Sequence, residues 1–221
     1  MYQAIHNDIA RETVMTSDVK IDLSCALATL AKKSPAVGTA FKTRCKALDM
    51  VAEEVLAVPI ATYTYIPVQG VREEMLDFGQ FTLQAPELVA ISSKLASVVA
   101  VVCTLGPAFE ARISSLFKER KYSLALALDE LGNELLFYTA RLASLQIRKE
   151  TRRQGLSAGN FLSPGDEGFS LDQQAMVVSM AGGENCGVSV MKLGMLSPVK
   201  SLSMVEGIGS ELSAQPLRNL R

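Results

Sequence analysis

Apolar residues recur along the chain in distinct rhythms, and each rhythm selects a backbone conformation. Between Lys121 and Lys149, Leu124, Leu128, Leu131, Leu135, Tyr138, Leu142 and Leu145 follow at alternating spacings of four and three. That spacing sets one apolar stripe along a long helix. Ala125, Leu126, Ala127 and Leu136 widen the stripe beyond a coiled-coil seam, so a helix lying across a core is predicted. Arg148 and Lys149 in its last turn complement the helix dipole, and Arg152 and Arg153 follow just beyond.

Shorter helical patterns come earlier. Ser17-Asp18 is placed to cap a helix running to about Lys33, with Leu23, Leu27 and Leu30 on one face. Ser34-Pro35 then sets a cap and a first-position proline before a second helix carrying Val37, Phe41, Leu48, Val51 and Val55. The two predict an N-terminal helical hairpin over residues 1–57, ahead of an α+β body over residues 58–221.

From Pro59 the rhythm changes. Ile60 to Ile66 is rich in β-branched and aromatic residues and reads as a strand, and a second strand is predicted near Leu76 to Leu83. Pro86-Glu87 opens a helix with Leu88, Ile91 and Leu95. The uninterrupted apolar run Val98 to Cys103 is expected to be a central strand buried on both faces, ended by Gly106-Pro107, which starts another helix. Gly155 to Gly168 has no periodicity and reads as a loop, of a length that is functional or disordered in compact domains. Ser170 and Gln173 fit a capping box for a helix through Met180, closed by Gly182-Gly183. Val188 to Met195 and Leu202 to Ile208 read as two strands joined through Ser197-Pro198-Val199-Lys200. The natural assembly is a single α+β domain with an antiparallel or mixed sheet.

Composition narrows the function. At 221 residues and 48% apolar content the chain can fill a real core. A net charge of -1 and only one short basic cluster, Arg148 to Arg153, give no electrostatic footprint for nucleic acid. The longest apolar stretch, Leu95 to Leu105, is interrupted and far shorter than the roughly 20 residues a membrane span needs. The first residues, MYQAIHNDIARETV, lack a signal-peptide core, so a cytoplasmic protein is expected. Cys25, Cys45, Cys103 and Cys186 are dispersed in apolar or Gly-rich settings and read as buried thiols. With His6 the only histidine, a His-based zinc site and a Ser-His-Asp triad are excluded. No paired carboxylates or reactive cysteine point to another enzyme, which leaves that reading the weakest.

Gly207-Ile208-Gly209 follows a strand, yet too few residues remain for a dinucleotide-binding unit. His6 is followed by Asn7-Asp8-Ile9, so the Asp-x-His-x-x-Gly pattern that presents a cobalt-ligating histidine is absent. The remaining candidate is Ser163-Pro164-Gly165. Proline fixes one torsion and glycine permits positive φ, so this turn can aim backbone N–H groups into a cleft, although a plain surface turn uses the same residues.

The chain also offers, in order, Thr104-Leu105-Gly106, Leu128-Asp129-Glu130-Leu131-Gly132, Leu162-Ser163-Pro164-Gly165, Leu171-Asp172-Gln173-Gln174, Gly187-Val188-Ser189-Val190 and Met195 to Ser203, then Gly207-Ile208-Gly209. In that order and spacing, Val101 to Gly209 resembles the reactivation domain of cobalamin-dependent methionine synthase and its stand-alone relatives. The resemblance implies a helmet-shaped α+β domain that binds S-adenosylmethionine in a groove and presents its methyl group to a cobalamin held by a partner. That partner would be a corrinoid protein or a corrinoid methyltransferase subunit. Methyl transfer from sulfonium to reduced cobalt needs orientation and no protein acid or base, in keeping with the lack of a catalytic constellation.

Carried over residue by residue, the resemblance places the ligand at Ser163, Pro164, Gly165 and Asp166, with Glu134 on the long helix. Three positions depart from it. Phe161 stands where the family has an Arg able to fork a carboxylate, Asp166 where it has Tyr, and Phe137 where it has a helix carboxylate. Asp166, Glu167 and Glu184 can engage a ligand amine or ribose instead, and Arg141 can supply a cation. Two readings follow: a corrinoid-linked accessory protein that binds S-adenosylmethionine, or a docking module whose groove Phe137 and Phe161 fill.

Overall fold

The computed structural model describes residues 15–32, 38–54 and 56–212. Strand β1 (Met15–Lys20) comes first, so Ser17-Asp18 does not cap a helix. Asp18 Oδ1 instead accepts from Thr62 Oγ1 at 2.8 Å across a strand pair. That pairing partner is distant in sequence, and tertiary pairing overrode a valid local cap signal. The cap falls to Asp22, whose Oδ1 accepts from the Cys25 N–H at 3.1 Å and opens α1 (Leu23–Ala31). Next comes α2 (Thr39–Glu53), led by Gly38. Ser34-Pro35, Val37 and Val55 lie outside the described residues, as does His6.

β2 (Ile60–Pro67) falls where its β-branched run predicts. β3 (Gly70–Arg72), β4 (Met75–Asp77) and β5 (Thr82–Leu83) form a small antiparallel sheet. The single strand expected over Leu76 to Leu83 is therefore broken, at Gly79, where φ is 84° and Asp77 Oδ1 accepts the amide at 2.9 Å. α3 (Pro86–Ala90) is short, and Leu95 begins β6 (Leu95–Thr104) instead of extending that helix. α4 (Pro107–Lys118) and α5 (Tyr122–Arg153) follow. Part of the expected loop is β7 (Ser157–Leu162), which the sequence SAGNFL conceals because it lacks β-branched residues. α6 (Gln174–Met180), β8 (Ser189–Val190), β9 (Leu196–Ser197) and β10 (Ser201–Gly209) complete the described elements.

Five strands form the main sheet in the order β1-β2-β6-β10-β7, every neighbouring pair antiparallel. Central β6 alternates its buried side chains between two cores. Val99, Val101 and Cys103 face a layer made by α1, α2, α4 and α5, while Val98, Ala100 and Val102 face α3, α6 and the small sheet. The uninterrupted apolar run thus has the meaning expected of it. Cys103 alone among the four cysteines is buried, and desolvation raises its thiol pKa. Cys25 is exposed on α1, Cys45 is half-buried, and Cys186 is half-buried against the core beneath α6. No described helix is long and apolar enough to cross a membrane.

The first half of α5 buries Leu128, Leu131 and Leu135 as their spacing predicts, each worth about 1.5–3 kcal/mol of apolar burial. In the second half the buried face consists of Thr139, Ala140, Ala143, Ser144, Ile147 and Thr151, and Leu145 is 49% exposed. Small residues hold that half against large partners on the sheet. The Tyr63 and Tyr65 hydroxyls donate to Glu150 of α5 at 3.0 and 3.1 Å, and Gln146 Nε2 donates to the same carboxylate at 2.6 Å. Burial, with Glu150 beside it, pushes the Tyr63 phenol up to about 12.

Gly132 is a point of close packing on α5. A Cβ there would lie 2.7 Å from the Phe109 ring and 3.1 Å from Lys200 Cε. Buried Lys200 passes over this glycine to reach Asn133 Oδ1 at 2.6 Å and Asp129 Oδ1 at 2.8 Å. Gly132→Ala is expected to lower unfolding free energy by about 1–3 kcal/mol through overpacking, despite alanine's better helix propensity. Urea unfolding measures this, and an unchanged or raised midpoint would contradict the tight packing.

Candidate functional site

β7 ends at Leu162, paired with Val205 of β10, and the next four residues form a closed turn. The Ser163 N–H donates to Asp166 Oδ2 at 2.7 Å, and the Asp166 N–H donates to the Ser163 carbonyl at 2.9 Å. Gly165 donates to the Phe169 carbonyl at 2.8 Å and Phe169 donates back to the Asp166 carbonyl at 3.0 Å. Phe169 is buried in the core beneath α6, so the turn is anchored at its far end. Gly165 sits at φ 101°, a conformation that strains any side-chain-bearing residue.

Beyond the turn, Ser170 Oγ accepts from the Asp172 N–H at 3.2 Å. Gln173 does not return to Ser170 as a reciprocal capping box requires. Its Oε1 accepts from the Gln84 N–H at 3.1 Å, and α6 begins one residue later. This contact draws the β5–α3 junction toward the turn. The two segments enclose a hollow of about 380 Å³ lined by Gln84, Pro86, Gly165, Asp166, Gly168, Phe169, Ser170 and Leu171. Its size falls within the range of small-molecule sites.

Of the expected site residues, Gly165 and Asp166 line this hollow, and Ser163 and Pro164 lie half-buried in the turn behind them. Glu134 is not among the lining residues. Both its oxygens pair with Arg44 of α2 at 2.8 Å, with Glu134 as the main cause of a raised guanidinium pKa. Phe161 packs against the core beneath α5, and Phe137 is 36% exposed on that helix. Neither phenyl ring lines the hollow. Glu167 is exposed in the turn, Glu184 lies in a 3-10 turn after α6, and Arg141 is exposed on α5.

Two features escaped sequence reasoning. Next to the hollow, Leu171, Met191, Leu193 and Met195 are 43%, 43%, 87% and 58% exposed. Leu193 has φ 64°, and Gly194 lies close enough to Leu171 that a Cβ would clash at 2.7 Å. Methionine and leucine in alternation read as a strand, but pairing covers only Ser189–Val190 against Leu196–Ser197. The glycine beside Leu193 was the available signal for a bend.

The second is Glu206, fully buried on β10 between Val99 of β6 and Phe161 of β7. Arg148, expected at the outer end of α5, turns inward: Nη2 reaches Glu206 Oε1 and the Gly159 carbonyl, each at 3.3 Å. Glu206 Oε2, Arg148 Nε and Ser144 Oγ have no hydrogen-bond partner among the described residues. Burial drives the Glu206 carboxyl up to about 8, against the opposing pull of Arg148. The folded state therefore holds a proton that the unfolded chain releases near pH 4.5. Its contribution to stability is complete below that value and is lost as pH rises through about 8.

Comparison with known proteins gives a fold and no family. No protein-family model matches the chain, and no curated protein matches it in sequence. Among solved structures, it is similar to one described as the MetH reactivation domain bound to AdoHcy, with a TM-score of 0.67 and 11% identity, over 93% of this chain and 82% of that one. The five-stranded antiparallel sheet crossed by a long helix is the fold of that domain.

The thermal midpoint of the native protein is expected to fall between pH 5 and pH 9 relative to that of Glu206→Gln, which cannot ionise. Calorimetric unfolding across that range reads the difference. Parallel pH profiles would show that Glu206 is ionised in the fold throughout.

Proposed function

We propose that this protein binds S-adenosylmethionine or S-adenosylhomocysteine at the hollow beside the Ser163–Asp166 turn and serves as an accessory to corrinoid methyl transfer. The observation that carries the reading is the hydrogen-bonded turn at the rim of a 380 Å³ hollow, within a fold shared with a domain described as bound to AdoHcy. Gly165, without a Cβ, lets a ligand approach the backbone closely. Asp166 uses Oδ2 within the turn and leaves Oδ1 for the ligand's amine or ribose.

Without the Arg that the family resemblance places at position 161, the ligand carboxylate must be met by neutral donors or solvent, and weaker binding than that of an Arg-bearing site follows. Glu134 enters this proposal only through Arg44, as a brace for α5. The methyl acceptor would be a cobalamin carried by a corrinoid protein or corrinoid methyltransferase subunit. Exposed Leu171, which lines the hollow, adjoins the Met191–Met195 segment, and this apolar surface is where we seat that partner. The chain's residues would then bind and orient the sulfonium and exclude water, since displacement at the methyl carbon requires no proton transfer from protein.

Titration calorimetry with each ligand tests the reading. Saturable heat is expected, weakened about tenfold or more by Gly165→Val, whose side chain enters the hollow and strains the turn. Folded protein giving no heat with either ligand at millimolar concentration would sink ligand binding and leave docking as the surviving role.

A further inference from the structure

A second hollow, of about 540 Å³, opens where α2 meets the junction of α4 and α5. Three cationic side chains line it, Lys46, Arg120 and Lys121, and no carboxylate does. Lys121 Nζ is held by Glu119 at 2.7 Å, which fixes its stem at the rim and leaves further ammonium protons to donate. Neither Lys46 nor Arg120 forms an ion pair among the described residues.

Arg120 also occupies an unusual backbone position. At φ 60° it is the left-handed residue that ends α4, with its N–H donating to the Phe117 carbonyl at 3.1 Å and the Lys121 N–H donating to the Leu116 carbonyl at 2.9 Å. Glycine is the residue that adopts this terminus without strain. The arginine held there in spite of the strain is one of the residues that line the hollow. Leu124 and Tyr122 also line it, and the Tyr122 ring, 55% exposed, lies 6.2 Å from that of Phe117.

We propose that this hollow binds a phosphomonoester, its phosphoryl group among Lys46, Arg120 and Lys121 and its aromatic or apolar body on Tyr122. A dianion matches two cations without an ion pair among the described residues and a third shared one, and a guanidinium fork fits phosphate oxygens. The volume exceeds what bare phosphate fills, and an exposed aromatic face receives a planar group. The site is separate from the S-adenosylmethionine reading and stands or falls without it.

Phenyl phosphate is the probe, since it carries no adenosine that could enter the other hollow. In amide NMR spectra it is expected to shift residues 43–46 and 120–124, more tightly than inorganic phosphate, while phenol leaves them unmoved. Lys46→Ala and Arg120→Gly should each weaken binding about tenfold. Arg120→Gly should do so with an equal or higher melting midpoint, because glycine relieves the left-handed strain. No shifts at millimolar phenyl phosphate, equal binding of phenol, or binding that survives both substitutions would overturn the site.

Discussion

β6 must be covered on both faces, and the arrangement of the rest follows from that requirement. Val98 through Cys103 bury every side chain, so helices on one side and α3, α6 and the small sheet on the other are needed to keep them from water. Transfer of apolar area gains about 25 cal/mol per Å², and each of these side chains is fully buried. α5 lies over one face, and close packing at Gly132 sets how far it stands from its neighbours. The turn that borders the candidate ligand hollow inherits its position from this frame, through β7, β10 and Phe169.

Where one residue type dominates a rhythm, the chain announced its structure. β2, β6 and the first half of α5 each carry such a rhythm, and each lies where the pattern places it. The second half of α5 shows the limit. Leucine spacing pointed to Leu142 and Leu145; Leu142 packs partly against the core, Leu145 is exposed, and the close face uses Ala140, Ala143 and Ser144, small residues that a hydrophobic pattern undervalues. β1 and β7 were hidden because each is specified by a partner strand distant in sequence, and a one-dimensional pattern carries no record of pairing. In β1 a polar Ser-Asp pair even mimicked a helix cap.

The site was legible to a similar degree. Pro164 and Gly165 declared a turn, and the turn exists, with Asp166 closing it in a way the residue types permit but do not dictate. Several fragments that looked like one functional motif divide on folding. Thr104, Gly106, Gly132, Lys200 and Ser201 meet near the end of β6, where Thr104 Oγ1 accepts from Ser201 and from the Gly106 amide at 2.8 and 3.1 Å, so these residues brace the fold. Glu134 has the same bracing role with Arg44. Only the fragments around Gly165 and Leu171 border the hollow. Glu206 was the least legible, since an acid flanked by valine and glycine in a strand looks like one solvated edge position.

The strand order also constrains assembly in time. β10 is the last described strand in the chain, yet it lies between β6 and β7 and is the strand through which β7 joins the sheet. A ribosome delivers β1, β2 and β6 early, but β7 and its turn have no place to pair until β10 emerges. Until then, one edge of β6 and the apolar side chains of both cores stand open to solvent, a state prone to aggregation. Pairs such as Thr104 with Ser201 close loops of nearly a hundred residues, which slows folding relative to a helical protein of equal size. The turn beside Asp166 therefore has its strand partner only once β10 is in place.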